Sequence, residues 1–219
     1  MKARALILLL LLAALLTGCA KEKNPYEDIE KDPVATITLT DGSVMRLELY
    51  PKVAPNTVAN FVSLANGGFY DGCQIFRVAS DVLIQAGDRE HNDGTGDAGY
   101  YIKGEFDQNG VRNTISHMRG TISMSRKSNY DTASSQFFIM EGSYPEYDGK
   151  YAAFGRIMDQ ESLAALDAIG SRPVDGNYVP LDRIYIKSIR VETFDVEYEP
   201  RKLDKDEIDQ KNEKLKQKK

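Results

Sequence analysis

In the stretch VATITLTDGSVMRLELY, which begins at Val34, two runs of alternating apolar and polar residues flank Asp41-Gly42. Alternation with period two, broken by a turn dipeptide, predicts a β-hairpin. In it Ile37 and Leu39 are expected to answer Val44, Leu47 and Leu49 across the turn. Pro55 then opens a segment in which Val58, Phe61, Val62 and Ala65 recur with helical spacing, and Asn66-Gly67-Gly68 end it, so a helix is expected there. Short apolar runs follow between glycine-rich loops, at residues 73–78, 82–86, 120–125, 136–140, 152–158 and 183–192, with a second short helix at 162–168 before Gly170. Many short strands and only two helices predict a mainly β domain over residues 34–196, an antiparallel closed barrel or a sandwich.

The ends differ from this pattern. Lys2 and Arg4 precede an unbroken run of Leu, Ile and Ala at residues 5–16, too short for a membrane span, which needs roughly 20 residues. It leads into Leu16-Thr17-Gly18-Cys19, which resembles the bacterial lipoprotein box. The expectation is a signal peptide over residues 1–18 and a lipidated Cys19 that anchors the chain outside the cytoplasm; two or three acyl chains make such an anchor stable. Residues 19–33 are polar after the cysteine and predict a flexible tether, and residues 197–219, dense in both charge signs, predict a solvated tail or loose helix.

Composition narrows the chemistry. The 219 residues carry 28 Lys and Arg against 33 Asp and Glu, a net charge of −5. Such a chain has no general attraction for nucleic acid. Two Cys and two His are too few for a dedicated zinc site. Asp81, Asp88, Glu90 and Asp93 lack the spacing of a calcium loop. No metal or other cofactor is expected, His91 and His117 are read as structural, and Cys73 is read as a packed small residue.

Several segments, in order, make the domain recognisable: APNT with Asn60-Phe61, Ile75-Phe76-Arg77, Gln85-Ala86-Gly87-Asp88, Gly94-Thr95-Gly96, GYYIKGEF, RGTISMSR, SSQFFI and DGKYAAFG. Together they resemble the cyclophilin family of peptidyl-prolyl cis-trans isomerases. The resemblance implies a closed eight-stranded antiparallel β-barrel capped by two α-helices, with a substrate groove on its outside. It implies that Arg77 is the catalytic guanidinium, that Gln85 and Gln136 are polar groove residues, and that Phe138 is the floor of the proline pocket. Leu83 falls where the family usually has Met, Val82 where it has an aromatic wall, Tyr147 where it has Leu and Tyr151 where many members have His. Ser125 stands in place of an Ala.

The chemistry suits these residue types. Turning a prolyl bond crosses a barrier of about 18–20 kcal/mol set by amide resonance and requires no nucleophile, metal or base. A fixed cation can hydrogen-bond the twisted amide over an apolar floor, where the contact is strengthened. The expected partners are proline-containing segments of exported proteins and, through Cys19, a membrane. The chain is expected to be a monomer. The alternative function is a lipid-anchored peptide-binding module or holdase with little catalysis.

Overall fold

The hairpin forms from β1 (Val34–Leu39) and β2 (Val44–Leu49), antiparallel with Ile37 opposite Met45. Side chains alternate across a strand, so Ala35, Ile37, Leu39, Met45, Leu47 and Leu49 all point inward and are buried, while Val44 has the opposite parity and is exposed. The expectation that Val44 faces Ile37 and Leu39 is therefore corrected by one residue. At the turn, the Asp41 carboxylate accepts from the Ser43 N–H and hydroxyl, and Gly42 takes a φ of 91°.

The computed structural model describes residues 23–216; Cys19, the apolar leader and residues 217–219 lie outside them. Further strands are β3 (Arg77–Ala79), β4 (Leu83–Ala86), β5 (Thr121–Met124), β6 (Phe137–Met140), β7 (Ala153–Ile157) and β8 (Ile186–Glu192), and the helices are α1 (Pro55–Asn66), α2 (Gln160–Gly170) and α3 (Lys205–Lys216). All eight strands form one antiparallel sheet in the order β3-β4-β6-β5-β7-β2-β1-β8. Its curved inner face and α1 enclose the main core, in which a void of about 10 Å³ lies among Ile37, Met45, Ile84 and Phe137. A filled interior leaves only the outer face for a ligand.

Closure is where the structure departs from expectation. The edge strands β3 and β8 do not pair as strands, so the barrel is open; an isolated bridge, Gln74 opposite Tyr185, spans the gap. The chain ahead of β8 cannot lie straight beside β3. Asp175 bends it into a tight turn, its carboxylate accepting from the N–H groups of Asn177 and Val179, and Val174 pairs with Pro180.

Loop contacts hold the helices. The residue before α1 is Ala54, which offers no cap, and buried Glu105 supplies one from the GYYIKGEF loop. Its carboxylate accepts from the N–H of Asn56 at 3.1 Å and from the N–H and hydroxyl of Thr57, both at 2.7 Å. An anion there also meets the positive end of the helix. Helix α2 begins earlier than expected because Asp159 caps it, accepting from the Ser162 N–H at 2.8 Å.

The segments outside the expected domain lie on the barrel. Tyr26, within the stretch expected as a flexible tether, is buried and stacks on Tyr198 with centroids 4.6 Å apart. The Asn24 amide donates to the carbonyls of Pro51 and Lys52. Beyond β8, Arg201 and Asn56 exchange two hydrogen bonds, Leu203 pairs with Tyr101, and Lys205 on α3 meets Asp97 at 2.7 Å. Apolar residues that look solitary in the sequence find partners on distant segments.

Glu105→Ala is expected to lower the unfolding free energy by about 3 kcal/mol, since three donors, two of them buried, lose their acceptor. Chemical denaturation against the wild-type chain measures it.

Candidate active site

Arg77, Gln85 and Phe138 come from β3, β4 and β6, which are adjacent in the sheet. The register pairs Arg77 with Gln85, Gln85 with Phe138, and Phe138 with Ser123 of β5. Residues paired across antiparallel strands lie on one face, so these side chains form a single row across the outside of the barrel. Sequence positions as far apart as 77 and 138 become neighbours through register alone.

Hydrogen bonds run along this row. Arg77 Nη1 donates to Gln85 Oε1 at 3.3 Å, and Gln85 Nε2 donates to Gln136 Oε1 at 3.0 Å and to the Ser125 hydroxyl at 3.2 Å. Gln136 Nε2 in turn donates to the carbonyls of Gly94 and Gly96, both at 2.8 Å. Every amide in the series has a defined orientation because each donor meets an acceptor.

Asp88 secures the far end. It is fully buried, and its two oxygens accept N–H groups from Glu90, His91, Asp93, Gly94 and Gly96 at 2.9 to 3.2 Å. Burial alone would push its pKa up, but these donors overcome it and hold the carboxyl at about 2. The approach explains Gly94-Thr95-Gly96: a side chain on Gly96 would collide with the Asp88 carboxylate. Asp88, His91 and Asp93 lie close enough to suggest a cation site, yet the Asp88 oxygens are occupied by backbone donors.

The apolar part lies beside the row. Leu83, Phe138 and Met140 form a second buried cluster outside the barrel, with Val82, Tyr144, Tyr147 and Tyr151 packed on it. Phe138 receives Tyr151 edge-on at 5.5 Å and Tyr147 edge-on at 6.1 Å. Arg77 lies near enough for its charge to oppose the burial that raises the Tyr147 pKa. The structure thus gathers all nine expected residues, Arg77, Val82, Leu83, Gln85, Ser125, Gln136, Phe138, Tyr147 and Tyr151, into one outer surface.

Beside the floor is an arrangement that the sequence does not advertise. His117 stacks against Phe138 at 6.0 Å; its Nδ1 is 2.9 Å from Asp148 and its Nε2 is 3.0 Å from the Ser123 hydroxyl. A carboxylate has no proton to give, so Nδ1–H donates to Asp148 and Nε2 accepts from Ser123. A Ser-His-Asp string is the geometry of acyl transfer, but Ser123 is completely buried and His117 nearly so. No substrate carbonyl reaches that hydroxyl, and the string instead braces Phe138. Burial lowers the His117 pKa, partly opposed by Asp148.

Sequence reasoning also passes over Met140, Tyr144 and the packing of Arg126. The Arg126 guanidinium covers Tyr151 at 4.8 Å and donates from Nε and Nη2 to the Lys150 carbonyl, which fixes the loop carrying Tyr151. A charge in a loop gives no signal of such stacking. Cys73 is buried and its thiol pKa is raised by burial to about 11, so it stays protonated and unreactive at neutral pH.

Comparison with known proteins agrees with this geometry. The profile of the family described as Cyclophilin type peptidyl-prolyl cis-trans isomerase/CLD matches residues 34–191. A peptidyl-prolyl cis-trans isomerase of Helicobacter pylori is 40% identical over 143 residues, covering 65% of this chain and 83% of that one. Peptidyl-prolyl cis-trans isomerase B of Bacillus subtilis is 43% identical over 119 residues, 54% of this chain and 79% of its own. Among solved structures, a Cryptosporidium parvum cyclophilin-type peptidyl-prolyl cis-trans isomerase, crystallised in the presence of the dipeptide Ala-Pro, superposes with a TM-score of 0.64 at 29% identity, over 73% of this chain and 99% of its own.

Asp88→Asn is expected to cost about 3 kcal/mol in chemical denaturation, because an amide turns donors toward several of the N–H groups. For His117 the folded pKa lies below the unfolded value of about 6.5, so its contribution to stability is complete above that pH and is lost as pH falls toward the folded pKa. His117→Gln should therefore lower the melting temperature at pH 7.5 and flatten its decline between pH 7 and pH 5.

Proposed function

This chain belongs to the cyclophilin-type peptidyl-prolyl cis-trans isomerases and is such an isomerase, and from that premise we propose that it acts at a membrane surface on exported proteins, with Arg77 as its catalytic residue. The row Arg77–Gln85–Phe138 is the observation that supports the assignment of roles. Phe138 takes the proline ring, with Leu83, Val82, Tyr147 and Tyr151 as its walls. Gln85, Gln136 and Ser125 hold the peptide backbone. Arg77 donates to the amide as it twists, when the prolyl nitrogen gains a lone pair and the carbonyl loses conjugation. The guanidinium keeps its charge at any physiological pH, and Gln85 on one side limits its motion, so little reorganisation accompanies the twist.

The lipoprotein box at residues 16–19, after the basic and apolar leader, supports anchoring through Cys19. The contacts of Asn24 with Pro51 and Lys52 lie just past β2, four strands from β4 along the sheet. An anchor joined to the barrel at Asn24 would therefore attach away from the groove. The five peptide links from Cys19 to Asn24 reach at most about 18 Å, so the anchored barrel would work close to the lipid. Among the described residues no helix is long and apolar enough to cross a membrane, and the acyl chains would carry the attachment.

Arg77→Ala is expected to lower kcat/KM about a hundredfold, or about 3 kcal/mol of transition-state stabilisation, while peptide affinity changes far less. NMR exchange spectroscopy on an Ala-Pro peptide measures both. An unchanged rate would remove Arg77 from the mechanism. Cys19→Ser should move the full-length chain from the membrane to the soluble fraction of a bacterial host and abolish labelling by a palmitate analogue; retention of either would overturn the lipid anchor.

A further inference from the structure

The row on the outer face does not stop at β3. Because the sheet is open, Val78 presents its N–H to the free edge, where it donates to the Tyr178 carbonyl at 2.8 Å. This places Tyr178 one position beyond Arg77, and the Arg77 guanidinium lies 5.7 Å from the centre of its ring. Arg77 is thus flanked by Gln85 on one side and an aromatic ring on the other.

The conformation of Tyr178 is unusual. Its φ is 64°, a left-handed value that bulky side chains rarely adopt, and the residue is 52% exposed. The turn enforces it: Tyr178 N–H donates to the Asp175 carbonyl, and the Asp175 carboxylate holds the N–H groups on either side. A strained backbone that carries a large aromatic ring into solvent contributes little packing. Such strain, held by over-determined surroundings, concentrates at functional sites.

We infer that Tyr178 is the outer wall of the substrate groove and a specificity-determining residue that selects an aromatic or long apolar side chain flanking the proline. A ring already stacked on a cation offers its other surface to a peptide side chain, and Tyr supplies large contact area at small entropic cost.

The inference rests on the isomerase reading of the same groove, and the test separates the two. Peptides with a single proline carry Phe or Gly at each of the three positions on either side, and both kcat/KM and Kd are measured by NMR for the wild type, Tyr178→Phe and Tyr178→Gly. Glycine suits the left-handed backbone, so Tyr178→Gly should fold at least as stably as the wild type. The wild type is expected to prefer Phe over Gly about fivefold at one flanking position, the size of a single aromatic contact. Tyr178→Phe should keep that ratio and Tyr178→Gly should bring it close to one. The inference is overturned if the wild type shows no preference at any flanking position, or if the preference survives in Tyr178→Gly. A wild type that binds with the expected preference without accelerating exchange would refute the isomerase reading and leave the wall standing on Kd.

Discussion

One buried carboxylate underlies the geometry of the groove. Asp88 has no solvent to hydrate it, so its charge is met by five backbone N–H groups of the loop that follows β4. Satisfying them winds residues 88–96 tightly around one point, and the carbonyls of Gly94 and Gly96 are thereby aimed outward. Those carbonyls take both protons of the Gln136 amide, Gln136 then has only its oxygen for Gln85, and Gln85 has only its own oxygen for Arg77. Donor and acceptor polarity propagates along this series, so the guanidinium inherits its position from an anion three side chains away.

The apolar half of the groove depends on a strand buried on both faces. In β6, Phe137 and Ile139 enter the main core while Phe138 and Met140 enter the outer cluster. Tyr147 and Tyr151 pack edge-on to Phe138, and His117 stacks against its ring while also meeting both tyrosines edge-on. The buried Ser123–His117–Asp148 string shows how similar hydrogen bonds serve different ends. With the hydroxyl in reach of solvent it would suit a nucleophile; buried among aromatic rings it holds Phe138 in place. A low-dielectric surface next to a fixed cation is what an amide losing its resonance needs, and neither half would suffice without the other.

Much of this was legible beforehand, and the failures have physical causes. The hairpin, the first helix and six later strand segments follow from apolar periodicity and turn residues, which act over a few positions. The ordered motifs led to Arg77, Gln85 and Phe138 through family resemblance, where composition alone would have left each an ordinary surface or core residue. Val44 lies on the outer face, against expectation, because parity depends on where the turn places the two strands. The barrel is open, against expectation, because the chain ahead of β8 is wound into the Asp175 turn and meets β3 through a single Val78–Tyr178 hydrogen bond in place of a ladder. Tyr26 and the segment around Tyr198 read as solvated ends, yet each supplies the partner the other lacks.

The sequence by itself determined the kinds of local structure, the apolar set that must leave water, and the identities of the residues able to do this chemistry. Local propensities and burial are properties of short segments, so they can be read along the chain. Which residues share a face was decided only by the fold. Strand register joins Arg77, Gln85, Phe138 and Ser123 into one row, the Asp88 cage orients its amides, and the open edge brings Tyr178 to its end. These relations link positions dozens of residues apart, and they exist only once the hydrogen-bond ladders and the packed core have fixed the distance between them.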